Sequence, residues 1–244
     1  MLYALISDVH GNLEALTVAI NYIIDIGVKD IICCGDLVGY GPDPASCISF
    51  LKRYHFQSVL GNHDKAILTD SLSIYFNEEA VVALNIQKEN MNTEDLNLLK
   101  TLPLQIVKSD FVVTHSFLDK KRPFKYVIDA ESALENLSFT KKEIIFCGHT
   151  HIPGVYIVQN NQVEYISAKQ GLNLSLEPKH HYVINVGSIG QSRDNNPDLC
   201  FALYDSERKT VQLIRLPYPI AKTQEKMKNL NFPAFLYQRL SQGI

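Results

Sequence analysis

The chain has 244 residues, of which 46% are hydrophobic and 20% charged, a composition typical of a folded globular protein. Its net charge of -3 argues against an extended basic surface for duplex nucleic acid or for an anionic membrane. The N-terminus reads Met-Leu-Tyr-Ala-Leu-Ile, with neither a cationic leader nor a long apolar stretch, so we expect a cytoplasmic protein. The five cysteines show no CxxC spacing and are expected to be buried, reduced thiols.

The first part of the chain alternates short apolar runs with amphipathic segments. Strands are predicted at residues 2–7, 31–34 and 57–60. Helices are predicted at residues 12–25 and from Asp43-Pro44 onward, where proline suits the first helical turn. This alternation predicts a parallel sheet covered by helices.

Residues 65–102 interrupt the succession of strands with a helical pattern, which is clearest at residues 78–89 and 93–100. The segment lies between two clusters of polar residues that we interpret below as a site. We therefore predict that it forms a helical lid or a dimerisation face, and the alternative is ordinary packing.

The second part of the chain is richer in strands. Apolar runs predict them at residues 104–107, 111–114, 143–147, 155–159, 163–167, 182–186, 199–204 and 211–216. Helices are predicted near residues 130–137, 222–230 and 234–241. No linker marks a boundary, so we expect one α/β (α+β) domain over residues 1–244. The predicted architecture is a four-layer α-β-β-α sandwich, with two mixed β-sheets packed face to face and helices outside.

Five short clusters of metal-binding residue types each follow an apolar run. They are Asp8-Val9-His10-Gly11-Asn12, Gly35-Asp36, Gly61-Asn62-His63-Asp64, Thr114-His115 and Gly148-His149-Thr150-His151. Ligands of an open α/β sheet collect beyond the C-terminal ends of the strands, where loops from separate units meet. Five of the eight histidines lie in these clusters, which together predict a two-metal hydrolytic centre.

The ligand types narrow the choice of metal. Carboxylate, imidazole and amide ligands suit Mn²⁺, Fe²⁺, Zn²⁺, Ni²⁺ or Co²⁺ better than Ca²⁺, and we favour Mn²⁺. Two aspartates offset only part of the charge of two divalent ions, so the centre would attract hydroxide and phosphate. Two metals about 3.5 to 4 Å apart can activate a bridging water and neutralise charge on phosphoryl oxygens.

In order and in type, the clusters resemble the signature DxH, GD, GNH(D/E), H, GHxH of the calcineurin-like metallophosphoesterase superfamily. The resemblance runs from Asp8 to His151 and implies two ligand sets that share Asp36 as a bridge. The first set is Asp8, His10, Asp36 and His151, and the second is Asp36, Asn62, His115 and His149.

The resemblance also implies a catalytic role for His63, which would stabilise the transferring phosphoryl group or protonate the leaving oxygen. Asp64 is a second catalytic candidate because it could orient the ring of His63. The alternative for Asp64 is a helix cap, since aspartate is frequent at helix N-termini.

Two further segments resemble a bacterial subgroup of small phosphodiesterases, some of which resemble dinucleoside tetraphosphate hydrolases. They are residues 39–44 and 185–194, the latter with Ser192 where the related Gly-Gln-Pro-Arg pattern has proline. The substrate-binding candidates are Tyr40, Gln191 and Arg193.

Each of these candidates has a competing interpretation. Arg193 either grips a distal phosphate or is a surface arginine that pairs with Asp194 or Asp198. Tyr40 either stacks on a base or packs beside the site. The basic run of residues 120–122 is either a rim for a polyanion or a solvated charge run, and we favour the latter.

The leading hypothesis is a hydrolase that cleaves a small phosphodiester or phosphoanhydride, with a dinucleoside polyphosphate as one candidate, by attack of a metal-bridging hydroxide. The partner is then a small phosphorylated molecule, preferably a nucleotide, and neither a membrane nor duplex nucleic acid. A homo-oligomer is compatible with the sequence. A protein phosphatase is the first alternative, and a non-catalytic metal-binding scaffold, disfavoured by the presence of His63, is the second.

Overall fold

The computed structural model describes residues 1–69 and 76–244. The first strands and helices alternate as the sequence predicts. They are β1 (Leu2–Ile6), α1 (Leu13–Asp25), β2 (Asp30–Cys33), α2 (Pro44–Leu51) and β3 (Phe56–Ser58). Because each crossover passes through a helix, β1, β2 and β3 pair as parallel neighbours.

Four helices and the first strands of a second sheet follow. They are α3 (Asn62–Ile67), α4 (Glu78–Glu89), α5 (Thr93–Thr101), β4 (Gln105–Val107), β5 (Phe111–Thr114), α6 (Ala130–Leu137) and β6 (Ile144–Cys147). The last part of the chain is mainly antiparallel. It consists of β7 (Gly154–Gln159), β8 (Gln162–Ser167), β9 (Leu172–Ser175), β10 (His181–Asn185), β11 (Leu199–Asp205), β12 (Thr210–Leu216), α7 (Ile220–Asn229) and α8 (Ala234–Gln238), with a 3-10 turn at Arg239–Ser241.

These strands form two mixed sheets of six strands each, in the orders β3-β2-β1-β11-β12-β9 and β4-β5-β6-β10-β7-β8. The sheets pack face to face over an aromatic core that includes Tyr3, Phe111, Phe146 and Tyr204. Alternation along β1 sends Tyr3 and Leu5 into this core. The predicted α/β sandwich is thus confirmed.

Helices cover the outer faces of both sheets. The outward residues of β1, including Ile6, pack with Leu16 and Ile20 of α1 in a second apolar cluster. On the other sheet, Val112 and Ile145 pack with Ala133 of α6. A strand that is buried on both faces reads as a continuous apolar run, which is why no polar alternation marks β1, β5 or β6 in the sequence.

Two elements differ from the prediction. Strand β9 was not predicted, because Leu-Asn-Leu-Ser is a short edge segment that becomes a strand only by pairing with β12. Helix α3 begins at Asn62, three residues before the helical pattern predicted at residues 65–102, so Asn62 and His63 lie in its first turn. The cause is a cap, since the carboxylate of Asp64 accepts a hydrogen bond from the N–H of Gly61 at 3.0 Å.

The predicted insertion at residues 65–102 is only partly visible, because residues 70–75 lie outside the described ranges. Its described part packs on the body of the protein: Leu84 of α4 and Leu99 of α5 are fully buried in the cluster beneath α1. Gln87 of α4 is also buried, and its side-chain amide accepts from Gly39 N–H at 2.6 Å and donates to the carbonyls of Gly39 and Gly41 at 3.0 and 2.5 Å. The role of the insertion as lid or dimer contact stays a prediction.

All five cysteines are buried and free of disulfides, as expected for reduced thiols. Cys33 faces the cluster beneath α1, whereas its neighbour Cys34 faces the core between the sheets. Burial raises the pKa of Cys147 to about 12, which keeps this thiol protonated at neutral pH. Within residues 1–69 and 76–244, no helix is both long enough and apolar enough to cross a membrane.

We predict that Gln87→Leu lowers the free energy of unfolding by roughly 2 to 4 kcal/mol, because it leaves buried polar groups of Gly39 and Gly41 without partners. Gln162→Leu, at an exposed position of β8, is the matched control and should change it by less than about 0.5 kcal/mol. Urea unfolding followed by circular dichroism provides the comparison. Equal stabilities of the two variants would contradict the anchoring role of Gln87.

Candidate metal centre

The predicted metal ligands meet at one end of the two facing sheets. Asp8 and His10 follow β1, Asp36 follows β2, and Asn62 begins the helix after β3. From the other sheet, His115 directly follows β5, and the His149-Thr150-His151 loop follows β6. The carboxyl ends of the parallel strands thus deliver all seven side chains to the same place.

The first group of side chains consists of Asp8, His10 and His151, all buried. The Nε2 atoms of His10 and His151 are 3.1 Å apart. Asp8 Oδ1 lies 3.3 Å from His151 Nε2 and 3.8 Å from His10 Nε2. Three potential ligand atoms therefore point at one common space.

The second group consists of Asp36, His115 and His149, with Asn62 beside it. His115 Nε2 lies 3.3 Å from Asp36 Oδ2, 3.1 Å from His149 Nδ1 and 2.9 Å from Asn62 Oδ1. The same Asp36 Oδ2 is 3.8 Å from His10 Nε2 of the first group. Asp36 is thus placed between the two groups, where the bridging ligand is expected.

Hydrogen bonds to main-chain carbonyls orient the four imidazoles of the two groups. His10 Nδ1 lies 2.8 Å from the carbonyl of Val38, and His115 Nδ1 lies 2.8 Å from that of Cys34. The corresponding contacts join His151 Nδ1 to Gln191 O at 2.5 Å and His149 Nε2 to Phe124 O at 3.1 Å. A carbonyl only accepts, so each outer nitrogen carries the proton, and the inner nitrogen of a neutral ring presents a lone pair to the centre.

The protonation preferences agree with this arrangement. Burial lowers the pKa of His10 and of His151 well below the usual value, so both rings are neutral near pH 7. Burial also lowers the pKa of His149, to about 3. At His115 burial acts in the same direction, but the adjacent Asp36 carboxylate overrides it and raises the pKa to about 9. The space between Asp36 and His115 therefore favours a positive charge.

Two observations test whether divalent metal ions fit this cluster. Asp8 Oδ1 is buried without a hydrogen-bond partner in the described residues, while Asp8 Oδ2 accepts from His149 N–H at 3.0 Å. Lone pairs of neutral imidazoles also face each other at 3.1 Å across His10 and His151, which is repulsive without a cation. Both observations fit metal ions held by carboxylate, imidazole and amide ligands.

The loops that carry these ligands are strained and closely packed. Several ligands adopt the left-handed backbone region that non-glycine residues avoid, at a cost of order 1 kcal/mol each. Their φ values are 51° at Asp8, 48° at His10, 56° at Asp36, 68° at His149 and 60° at His151. Two glycines permit the close approach, because a Cβ at Gly61 would collide with the side chain of Asp36 and a Cβ at Gly148 with Ser7.

His63 lies beside the metal cluster on the first turn of α3. Its main-chain N–H donates to Asp36 Oδ1 at 2.9 Å, and its ring packs against His10, Tyr40 and Phe76 with centroid separations of 4.9, 4.5 and 4.6 Å. Burial lowers the pKa of His63 to about 4. Its Nδ1 has no hydrogen-bond partner in the described part of the chain, so this nitrogen is not committed to a structural hydrogen bond.

The expectation that Asp64 orients the His63 ring is wrong. Both carboxylate oxygens of Asp64 accept hydrogen bonds from main-chain N–H groups at 2.9 to 3.2 Å. The donors are Asp36, Leu37, Val38 and Gly61. Burial, and then the nearby Asp36 carboxylate, raise the pKa of Asp64 to about 7, while the amide hydrogen bonds act to lower it. Asp64 therefore fixes the loop that carries Asp36 and caps α3.

The three predicted substrate residues lie together. The Arg193 guanidinium stands 5.5 Å from the ring centroid of Tyr40 and donates to Gln191 Oε1 at 3.2 and 2.9 Å. The alternative of an ion pair with Asp194 or Asp198 is not found among the described residues, and Asp194 pairs with Arg215 instead. Tyr40 packs on the His10 ring at 4.7 Å and also lines the cleft, and its stacking on a base stays a prediction.

The cleft over the cluster has a volume of about 380 Å³ and includes residues that sequence reasoning missed. These are Phe76, Asn77, Ala80, Tyr126, Phe235 and Arg239. None of them belongs to a motif, and Arg239 comes near the site only through tertiary packing. The basic run at residues 120–122 does not line the cleft; Arg122 is exposed and pairs with Asp119 and Glu135.

Comparisons with known proteins agree with the fold. A family model described as the calcineurin-like phosphoesterase superfamily domain matches residues 1–209. An uncharacterized protein of Methanocaldococcus jannaschii, MJ0912, is 33% identical over 243 residues, which cover 98% of this chain and 97% of that protein.

Two solved structures are similar over the full chain. A metallophosphoesterase from Sphaerobacter thermophilus has a TM-score of 0.87 at 32% identity, with 100% of this chain and 99% of that chain covered. The hypothetical protein PH1004 from Pyrococcus horikoshii OT3 has a TM-score of 0.79 at 18% identity, with 100% and 98% covered. At that lower identity, the second likeness shows the fold alone.

We predict that Asp36→Asn weakens binding of divalent metal by at least about 100-fold, because it removes the one carboxylate charge that faces both groups. The control is Asp25→Asn on the exposed end of α1, which should bind metal as the unmodified chain does. Isothermal titration calorimetry with Mn²⁺ measures both affinities. Unchanged affinity in Asp36→Asn would show that the cluster is not a metal centre built on this residue.

Proposed function

The chain belongs to the calcineurin-like phosphoesterase superfamily, and from that premise we propose that it hydrolyses a small phosphodiester or phosphoanhydride with two divalent metal ions. As a metallophosphoesterase it is a hydrolase of phosphoric esters, which agrees with the resemblance found in the sequence. One observation carries the finer proposal. Four histidines, held by main-chain carbonyls, turn their inner nitrogens toward two aspartates in the floor of one cleft.

The proposed ligand sets follow the two groups of side chains. The first ion would be held by Asp8, His10, Asp36 and His151, and the second by Asp36, Asn62, His115 and His149. When bound, the two ions, preferably Mn²⁺, supply a hydroxide nucleophile at neutral pH and positive charge for the phosphoryl oxygens.

The protein itself contributes His63, which we assign as the catalytic histidine. It lines the cleft next to Asp36 and keeps a ring nitrogen unengaged within the described structure. A neutral imidazole has one N–H to donate, so His63 can donate a hydrogen bond to a phosphoryl or leaving oxygen as negative charge develops there. Its contacts with Tyr40 and Phe76 hold the ring in place.

Arg193 is the proposed phosphate-binding side chain. Its guanidinium is positioned by Gln191 and lies over Tyr40, while the N–H donors along its planar edge suit a bidentate contact with phosphate. Neither supporting contact neutralises its charge. The guanidinium is therefore available to bind an anion that enters the cleft.

The size and lining of the cleft favour a small substrate. A volume of about 380 Å³ is within the range of small-molecule sites, and aromatic side chains beside the polar floor suit a nucleotide. A protein phosphatase would need an extended surface for a peptide, and a scaffold would have no use for His63. The proposal also includes a cytoplasmic location. It further includes a single domain in which residues 65–102 form a lid or a dimer contact.

We predict that His63→Ala lowers kcat by roughly 100- to 1,000-fold and leaves the bound metal in place, because His63 lines the cleft and belongs to neither proposed ligand set. The readouts are hydrolysis of bis(p-nitrophenyl) phosphate in Mn²⁺ and metal content by mass spectrometry. His55→Ala, at an exposed position, is the control and should behave as the unmodified chain. Full activity of His63→Ala would remove it from the mechanism.

A substrate panel tests the proposed chemistry directly. We expect the Mn²⁺-loaded protein to hydrolyse dinucleoside polyphosphates or small phosphodiesters faster than phosphopeptides, because the cleft admits a small ligand. Cyclic nucleotides and monoesters complete the panel, and chelation of the metal should abolish every activity. A preference for phosphopeptides, or turnover that survives the chelator, would contradict the proposal.

A further inference from the structure

The loop between β10 and β11, residues 186–198, closes over the first group of proposed ligands. Its first half binds the segment that follows β1. Ser188 Oγ and Gly190 N–H both donate to the main-chain carbonyl of Asp8, at 3.0 and 2.9 Å. The carbonyl of Gly190 in turn accepts a hydrogen bond from Asn12 Nδ2 at 2.9 Å. This half of the β10–β11 loop is thus fastened to the chain that carries a proposed ligand.

The next residues of the β10–β11 loop orient His151 and Arg193. The carbonyl of Gln191 accepts a hydrogen bond from His151 Nδ1 at 2.5 Å, which leaves Nε2 of that ring facing the first group. Arg193 N–H donates to the main-chain carbonyl of His151 at 3.2 Å, and Gln191 Oε1 accepts from the Arg193 guanidinium. A displacement of this loop would therefore move a proposed metal ligand and the proposed phosphate-binding side chain together.

A buried polar network fixes the second half of the β10–β11 loop. Arg215 of β12 pairs with Asp194, and both side chains are only 6% exposed. Arg215 Nη1 also donates to the main-chain carbonyl of Asp198 at 2.8 Å and to Ser192 Oγ at 3.3 Å. One guanidinium thus binds three positions of the loop. Because Arg215 lies on a strand that pairs with β11, it ties the loop to the sheet.

The network also gives a structural role to Ser192, which stands where the related Gly-Gln-Pro-Arg pattern has proline. A proline restrains a loop by fixing its own φ, and serine lacks that restraint. Here the Ser192 hydroxyl donates to the carbonyl of Asp198 at 2.7 Å and accepts from Arg215. Hydrogen bonds that converge on Arg215 thus supply the restraint that a proline ring would supply.

Resting on the proposed function, we propose that Arg215 is a positioning residue of the metal centre. It holds the β10–β11 loop so that Gln191 orients the His151 ring and Arg193 faces the substrate. Among the described residues, those that line the cleft do not include Arg215, so it acts through the loop and not on the substrate. Its planar guanidinium binds several acceptors at once, which the single ammonium of lysine cannot do.

The first test removes the buried ion pair without leaving an unpaired charge, by combining Arg215→Met with Asp194→Asn. In the Mn²⁺-loaded full-length chain, kcat/KM for bis(p-nitrophenyl) phosphate should fall by roughly 10- to 100-fold. We expect kcat to fall and KM to rise, because His151 and Arg193 are displaced together. The matched control combines Arg208→Met with Asp205→Asn, a pair whose arginine is 83% exposed, and should change neither constant.

The second readout does not depend on turnover. In the full-length chain loaded with diamagnetic Zn²⁺, NMR of ¹⁵N-labelled histidine rings follows the exchange of each outer N–H with water. In the paired Arg215 and Asp194 variant, the His151 Nδ1–H should exchange at least roughly tenfold faster, because the carbonyl of Gln191 no longer protects it. The His115 Nδ1–H, bound to the carbonyl of Cys34, should keep its rate. The His151 signal is identified by its absence from His151→Gln.

Proline provides a rescue that a merely structural role would not predict. Adding Ser192→Pro to the paired variant should recover kcat/KM at least roughly threefold and slow the exchange of the His151 proton. If the paired variant does not fold, Ser192→Ala replaces it, since it removes one hydroxyl and keeps the ion pair. It should lower kcat/KM by roughly 3- to 10-fold and speed the same exchange.

Three outcomes would overturn the role of Arg215: an unchanged kcat/KM, an unchanged exchange rate at His151, or equal changes at His151 and His115. An unmodified chain that hydrolyses no phosphoester would overturn the proposed function instead. The exchange of the His151 proton would then still decide whether Arg215 orients this ring.

Discussion

The candidate centre depends on how its histidines are oriented. The outer nitrogens of His10, His115, His149 and His151 each lie within 3.1 Å of a main-chain carbonyl, so the fold itself fixes the inner nitrogens. Those carbonyls belong to loops of both sheets. Any shift between the sheets would therefore move the ligands carried by one sheet away from those carried by the other. The aromatic packing between the sheets holds them in register and thereby keeps the ligand atoms together.

The loops that carry the ligands hold strained backbone conformations. Five of the proposed ligands occupy left-handed backbone conformations, a strain that persists only where the surroundings over-determine it. Asp64 shows how this is achieved, since its buried carboxylate binds four main-chain N–H groups around the Asp36 loop. The side-chain amide of Gln87 likewise binds main-chain groups of the loop of Gly39 and Gly41. Both side chains shape the centre without facing its ligands.

Local patterns predicted much of this molecule. Helix α4 begins and ends where its periodicity indicates, and the seven proposed ligands converge because each follows a strand in a parallel arrangement. What the sequence could not reveal depends on tertiary contacts. Asp64 was assigned to His63 because they are neighbours in the chain, whereas its partners lie in a distant loop. Arg239 carries no motif, and it reaches the cleft because the preceding helix α8 packs on α4.

In the proposed centre, two metal ions share Asp36. Crystals grown with Mn²⁺ and measured at the manganese absorption edge would show this, because anomalous scattering locates each ion independently of any activity. We expect two anomalous peaks about 3.5 to 4 Å apart, one beside His10 and His151 and the other beside His115 and His149, with Asp36 between them. A single peak, or none within reach of these side chains, would contradict a centre of two ions that share Asp36.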